Sequence, residues 1–191
     1  YLSLYSECKV NSEKYILNSK SDNFETCVLR FATAFGLSPR MRFDLLLQEF
    51  IRDALVNQEI TLFGANYWRP LVHVNDISDA CILAINGTTK QISGQIYNVG
   101  DDSQNYTKQE LAQMIQQQLP TTKISINESK KDPRNYKVSF KKIKEQLGFS
   151  IIKSVKDGII EIIDEVNNKN LDPHESEFSN MSKLTEKVDV Y

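Results

Sequence analysis

The chain has 191 residues, of which 40% are hydrophobic and 25% charged, and its formal net charge is −2. This composition is typical of a soluble globular protein. No block of basic residues stands out, and no apolar run approaches the ~20 residues that cross a bilayer, so we expect neither nucleic acid nor a membrane as a partner.

The three cysteines, Cys8, Cys27 and Cys81, are far apart and form no CxxC pair. Disulfide frameworks and zinc sites need even counts or close pairs, so the pattern favours buried, reduced thiols and no metal site. No signal peptide is visible either. We therefore expect a cytoplasmic protein.

Helices and strands are predicted to alternate along the first half of the chain. A strand rich in apolar residues suits a buried parallel sheet, and an apolar repeat of three to four residues indicates a helix. The predicted elements are a helix over 4–17, strands over 25–31 and 60–63 with a helix over 43–55 between them, a strand over 69–74, a helix capped by Asp76 and a strand over 95–99.

The second half begins with a capping box, in which Thr107 and Glu110 flank the start of a predicted helix. A short strand over 123–126 and a helix over 140–147 follow. The clearest periodicity comes last, where apolar residues recur along one helix face. The members of that stripe are Val155, Ile159, Ile162, Ile163 and Val166.

This alternation predicts an α/β layer architecture. The chain begins with Tyr1 rather than Met, and a helix precedes its partner strand. We therefore expect that the sheet is entered partway and that further chain lies upstream. Strand edges without their neighbours would make the 191 residues alone marginally stable.

Tyr5 and Lys9 lie one helical turn apart, so their side chains share a face of the first predicted helix. A phenol has a pKa near 10, and an adjacent ammonium group favours its ionised form. Such a pair can exchange a proton with a sugar hydroxyl while the carbon exchanges a hydride. The spacing alone is weak, because it also fits an ordinary solvated helix face.

The segments that follow occur in a particular order. Glu13 comes four residues after Lys9, and a strand then runs into the turn over 29–37, LRFATAFGL. Further on, Gly64 precedes the segment over 68–77, WRPLVHVNDI. The series ends with YNVG over 97–100, Asp132-Pro133-Arg134, and a helix stop at Gly148.

These motifs, in this order, resemble the extended short-chain dehydrogenase/reductase family of nucleotide-sugar epimerases and dehydratases. The resemblance covers about residues 1–166. It implies an α/β fold in which a partial, Rossmann-like parallel sheet is joined to a small α/β substrate-binding domain. Residues 1–37 would end the NAD(P)-binding domain and 38–166 would be mostly substrate-binding, with 70–100 returning to the Rossmann sheet. From residue 167 the chain turns polar, and this composition predicts that 167–191 form a C-terminal tail that is loose or lies outside the domain.

The resemblance implies that Tyr5 is the general acid/base and that Lys9 supports it and holds the nicotinamide ribose. Thr33, Arg69 and Arg134 are implied to bind the nucleotide sugar. A guanidinium matches a diphosphate through its planar fork of donors, whereas each arginine also fits a surface ion pair and Thr33 fits a loop contact. We interpret His73 and Phe35 as structural.

The family binds NAD or NADP through a glycine-rich turn, which this sequence lacks. The implied function is NAD(P)-dependent epimerisation, dehydration or reduction of a nucleotide-diphosphate sugar in a homodimer. The residues leave open which reaction, sugar and cofactor apply. The alternative is a truncated, non-catalytic member that binds a nucleotide sugar or a partner chain.

Overall fold

A computed structural model of the protein describes residues 3–129, 134–169 and 171–180. Asp132, Pro133 and the tail beyond 180 lie outside the described residues. The helices are α1 Leu4–Asn18, α2 Leu46–Asn57, α3 Val74–Ile85, α4 Thr89–Ile92, α5 Lys108–Gln118, α6 Lys141–Leu147 and α7 Val155–Lys169. The strands are β1 Cys27–Phe31, β2 Thr33–Phe35, β3 Glu59–Leu62, β4 Trp68–His73, β5 Gln95–Val99, β6 Asn105–Thr107 and β7 Lys123–Ile126.

The strands pair mostly in parallel, as expected of an α/β fold. β1 pairs with β5, β2 with β4 and β3 with β7 in parallel, whereas β4 and β6 are antiparallel. Only Ala32 separates β1 from β2, and its N–H donates to the carbonyl of Val99 over 3.0 Å. The continuous extended segment of β1, Ala32 and β2 thus pairs first with β5 and then with β4.

Two hydrophobic clusters form the core. The larger one joins β2, α2, β3, α5 and α7, and the smaller one joins β4, α3, β5 and α6. The apolar stripe predicted for α7 is confirmed, because all five of its residues are buried. The capping box at Thr107 is confirmed as well.

Helix α7 crosses β2 at a glycine. A Cβ atom on Gly158 would lie 2.3 Å from the ring of Phe35. Phe35 is fully buried, and its ring meets the His73 ring edge-on with centroids 5.2 Å apart. A large aromatic ring therefore fits beneath α7 because the helix carries no side chain at the crossing.

His73 ties β4 to α3 and α7. It is 2% exposed, and its Nδ1 accepts a hydrogen bond from the N–H of Asn75 over 3.1 Å. Its Nε2 therefore carries the proton and donates to Glu161 Oε2 over 3.0 Å. The prediction of a structural histidine is confirmed.

Glu161 also accepts a hydrogen bond from Lys153. Burial opposes ionisation of this carboxyl group, but the hydrogen bonds from Lys153 and His73 outweigh it and lower the pKa of Glu161.

Asp76 has a different role from the predicted one. His73, not Asp76, caps α3. The Asp76 carboxylate is fully buried and accepts hydrogen bonds from the N–H groups of Ile152 at 2.8 Å and Lys153 at 3.3 Å. It holds the loop before α7 against α3, so the capping prediction was wrong.

Part of the predicted loose tail packs on the core. Phe178 is buried and meets Phe43 edge-on with centroids 5.6 Å apart. The Nε of Arg40 donates to the carbonyl of Glu177 over 2.7 Å. The expectation of a loose segment was therefore wrong for residues 171–180.

Helix α1 lies on the surface and buries none of its residues. Glu13 joins it to β1 by accepting a hydrogen bond from Arg30 Nε over 2.8 Å. The cysteines are free, but Cys8 is exposed, so the expected burial was wrong there. Within the described ranges, no helix combines the length and apolarity needed to cross a membrane.

We expect Gly158→Ala to lower the free energy of unfolding by about 1–3 kcal/mol, because the added methyl group overpacks the core against Phe35. This cost exceeds the gain in helix propensity of about 1 kcal/mol. Urea denaturation measures the change, with the exposed Lys156→Ala on the same helix as control. A Gly158→Ala protein as stable as the wild type would contradict the packing described here.

We expect Glu161→Gln to change how stability depends on pH. Because the folded state lowers the pKa of Glu161 from its ordinary 4.5, the ionised carboxylate stabilises the fold above that pH, and this contribution disappears as the pH falls through the lowered value. The stability difference between wild type and Glu161→Gln should thus be larger at neutral pH than in acid. Asp164→Asn, on the exposed side of α7, is the control, and a difference independent of pH would refute the expectation.

Candidate functional site

One cavity collects the three residues predicted to bind substrate. It has a volume of about 350 Å³ and lies between α2, the ends of β3 and β4, and the segment that begins at residue 134. Thr33, Arg69 and Arg134 all line it, together with Tyr136 and Lys108. We call it the arginine cavity.

Arg69 is the buried centre of this arrangement. It is 4% exposed, and its Nη1 donates to the carbonyl oxygens of Trp68 at 2.7 Å and Arg134 at 2.5 Å. Its guanidinium carbon lies 5.7 Å from the centre of the Tyr136 ring. Arg69 thus both lines the cavity and fixes the segment that brings Arg134 to it.

Two asparagines dock the same segment onto the sheet. The N–H of Trp68 donates to Asn135 Oδ1 over 2.9 Å. Asn105, in β6, exchanges two hydrogen bonds of 3.0 Å with the backbone of Val138. The cavity wall at 134–138 is therefore held by directional bonds at both of its ends.

Lys108 is a cavity residue that the sequence analysis missed. It is the first residue of α5, is 6% exposed, and its Nζ donates to the carbonyl of Phe63 over 2.9 Å. A lysine at a helix start is ordinarily solvated, and a positive charge there opposes the helix dipole. The capping box at Thr107 located the helix start but gave no sign that the next side chain turns inward.

Carboxylates from α2 and the loop before it also line the cavity. They are Asp44, Glu49 and Asp53. Arg42 forms two hydrogen bonds of 2.9 Å with Asp44 and thereby lowers the pKa of that carboxyl group. The cavity is therefore bipolar rather than uniformly basic.

Tyr5 and Lys9 lie elsewhere, on the surface of α1. They do not line the arginine cavity. Tyr5 is 71% exposed, and the Lys9 ammonium group lies 5.6 Å from the centre of its ring. The two side chains thus share one helix face, and both are exposed.

We expect Arg69→Ala to lower the free energy of unfolding by about 2–4 kcal/mol, because two carbonyl groups lose their buried donor. Arg134→Ala should cost less, because that side chain is exposed. Chemical denaturation of both variants measures the contrast. Equal losses would show that Arg69 does not hold the cavity wall.

Solved structures with a similar fold include nucleotide-sugar enzymes. A UDP-glucose 4-epimerase from Thermotoga maritima, solved with UDP-glucose, is 21% identical, with a TM-score of 0.75 over 87% of this chain and 54% of that one. A dTDP-glucose 4,6-dehydratase from Bacillus anthracis, solved with NAD, is 22% identical, with a TM-score of 0.73 over 94% of this chain and 55% of that one. MoeE5, in complex with UDP-glucuronic acid and NAD, is 22% identical, with a TM-score of 0.74 over 89% and 57% of the two chains.

These similarities confirm the Rossmann-like α/β fold, and the chain spans about half the length of those structures. The family model described as "NAD dependent epimerase/dehydratase family" matches residues 1–100, just over half of the chain. The match includes Tyr5, Lys9, Thr33 and Arg69. The chain therefore belongs to the NAD-dependent epimerase/dehydratase family.

Proposed function

We propose that this chain supplies the nucleotide-sugar cavity and the acid/base pair of an enzyme that epimerises, dehydrates or reduces a nucleotide-diphosphate sugar. The observation that carries the proposal is the arginine cavity itself. Thr33, Arg69 and Arg134 are separated by tens of residues in the sequence and still line one space. Their convergence on one space supports a common role in binding.

The diphosphate of the ligand suits the basic side of this cavity. Arg69 is buried and held by two carbonyl oxygens, so its position is fixed before a ligand arrives. Such preorganisation reduces the entropy lost on binding. Arg134 is exposed on the segment that Arg69 anchors and lines the same cavity, so it can contact the same phosphate groups.

Tyr5 and Lys9 provide the proton chemistry in this proposal. Tyr5 removes the proton of a sugar hydroxyl as the carbon that bears it loses a hydride, and the Lys9 ammonium group stabilises the phenolate. The step is reversed when the proton returns to the oxygen and the hydride returns to the same or the opposite face of the sugar carbon. The exposed, adjacent side chains are compatible with these roles.

NAD or NADP, when bound, supplies the hydride acceptor. Tyr5 and Lys9 fit its nicotinamide-ribose end, because both side chains are accessible on one face of α1. A glycine-rich turn for the pyrophosphate is not part of this sequence. The names of the similar structures, which were solved with NAD and with UDP-sugars, support this assignment.

We expect Tyr5→Phe to reduce turnover of the preferred sugar nucleotide by about 10²–10⁴-fold, because the general acid/base is lost. The substrate is identified first, by screening UDP-, dTDP- and GDP-sugars against the complete gene product that contains this chain. Binding of that sugar nucleotide, measured by calorimetry, should change little. Tyr15→Phe is the matched control, since Tyr15 is an exposed tyrosine on the same helix.

The screen also separates the two candidate functions. A Tyr5→Phe protein with wild-type turnover would refute the catalytic role of Tyr5. A wild-type protein that binds sugar nucleotides without turning them over would favour the non-catalytic alternative. Absence of binding would refute the assignment of the arginine cavity.

A further inference from the structure

The arginine cavity divides its charges between two walls. Arg69 lies in β4, Lys108 at the start of α5, and Arg134 in the segment before α6. Glu49 and Asp53 come from α2, one turn apart on the face that lines the cavity. A ligand made only of phosphate groups would suit the first wall and be repelled by the second.

Most of the acidic groups already have a close cationic partner. Asp44 is bound by Arg42 in a two-point contact. Asp53 accepts hydrogen bonds of 2.8 and 2.6 Å from Arg52. A third nitrogen of Arg52, Nη1, donates to the carbonyl of Phe43 over 3.1 Å.

Glu49 differs from its neighbours. Among the described residues, its ion pair is with Arg52, and the two side chains approach no closer than 3.7 Å, beyond hydrogen-bonding range. The Glu49 side chain is about half exposed, at 48%, toward the cavity it lines. Its carboxylate thus offers acceptor capacity that the described protein groups leave unused.

The surroundings of Glu49 disfavour an unpaired negative charge. Burial raises the pKa of this carboxyl group, the charges of Asp53 and Asp44 raise it further, and Arg52 and Lys108 only partly oppose this. A ligand that places donors beside Glu49 would relieve this penalty, whereas a ligand that places carbonyl oxygens there would increase it.

We propose that Glu49 determines the specificity of the arginine cavity by accepting hydrogen bonds from N–H groups of the nucleotide sugar. This inference rests on the proposed function and extends it to the class of substrate. The N–H groups belong either to the Watson–Crick edge of a guanine base or to an ammonium group on the sugar.

The candidate ligands differ in the hydrogen-bond donors and acceptors that they would place beside Glu49. Guanine presents two parallel N–H donors, which match the two oxygens of a carboxylate in a charge-assisted pair. Uracil presents a single N–H between two carbonyl oxygens, which a carboxylate repels. An ammonium group on the sugar provides three donors and a positive charge.

The test compares affinities for matched ligands in the complete gene product. The ratio of affinities for GDP-glucose and UDP-glucose measures the effect of the base. The ratio for UDP-glucosamine, which has a free amine, and UDP-glucose measures the effect of the sugar. We expect the wild type to prefer one N–H-rich ligand over UDP-glucose by about 10–100-fold, the ratio that a hydrogen bond to a charged group provides. Glu49→Gln keeps the shape, removes the charge and should reduce that preference to about threefold or less.

Glu145→Gln is the control, because Glu145 is an exposed carboxylate of α6 that pairs with Lys141 outside this cavity. It should leave every ratio unchanged. A lost preference for GDP-glucose assigns the donors to the base, and a lost preference for UDP-glucosamine assigns them to the sugar.

Identical ratios in the wild type and Glu49→Gln, with UDP-glucose still bound, would overturn the role of Glu49 while leaving the proposed function intact. If none of the three ligands binds the wild type, the inference fails, and the proposed function fails with it only when the screen of UDP-, dTDP- and GDP-sugars also finds no ligand.

Discussion

The buried guanidinium of Arg69 is the interaction on which the candidate site depends. It joins β4, at the centre of a three-stranded sheet, to the carbonyl of Arg134, 65 residues further along the chain. A guanidinium can do this and still face a cavity, because it carries five donors in one plane. Both carbonyl groups are held by the N–H groups of one nitrogen, Nη1, whose directions are fixed in the guanidinium plane, whereas the N–H groups of a lysine ammonium can rotate. The shape of the cavity therefore follows from the choice of arginine at this position.

The position of Arg69 is in turn fixed by the packing behind it. His73 lies four residues further along the same strand, and its ring is confined by Phe35 and by the close approach of Gly36. Helix α7 covers both rings at Gly158 and contributes the Glu161 carboxylate, which accepts a hydrogen bond from His73 Nε2. Because β4 is fixed at its C-terminal end by this network, its N-terminal end can present Arg69 with little freedom.

Strong periodicity made most of the fold predictable. The stripe from Val155 to Val166 and the capping box at Thr107 have few alternative interpretations, because each combines spacing with residue type. β2 and β6 were missed since three residues are too short to show a period. Asp76 was misassigned because the sequence shows a carboxylate near a helix start but not the distant N–H groups of Ile152 and Lys153 that it binds.

Only some of the residues that line the arginine cavity could be predicted from the sequence. The family motifs predicted Thr33, Arg69 and Arg134 as substrate-binding residues, and the three residues line one cavity. Lys108 and Glu49 belong to no such motif. Whether they line the cavity depends on the orientation of α5 and α2, which the sequence does not show. Phe178 was misjudged for a similar reason, because its polar neighbours concealed one aromatic side chain that the core accepts.

The two parts of the proposed site are held in place by very different means. The cavity is built on buried strands, whereas Tyr5 and Lys9 lie on α1, which buries none of its residues. Among the described residues, the direct side-chain link from α1 to the sheet is the pair of hydrogen bonds between Glu13 and Arg30. Arg30 lies in β1, three residues before Thr33, which lines the cavity. An exposed ion pair contributes about 1 kcal/mol or less to stability, but a two-point contact restricts orientation, so Glu13 and Arg30 fix the orientation of α1 relative to β1 more than they stabilise the fold.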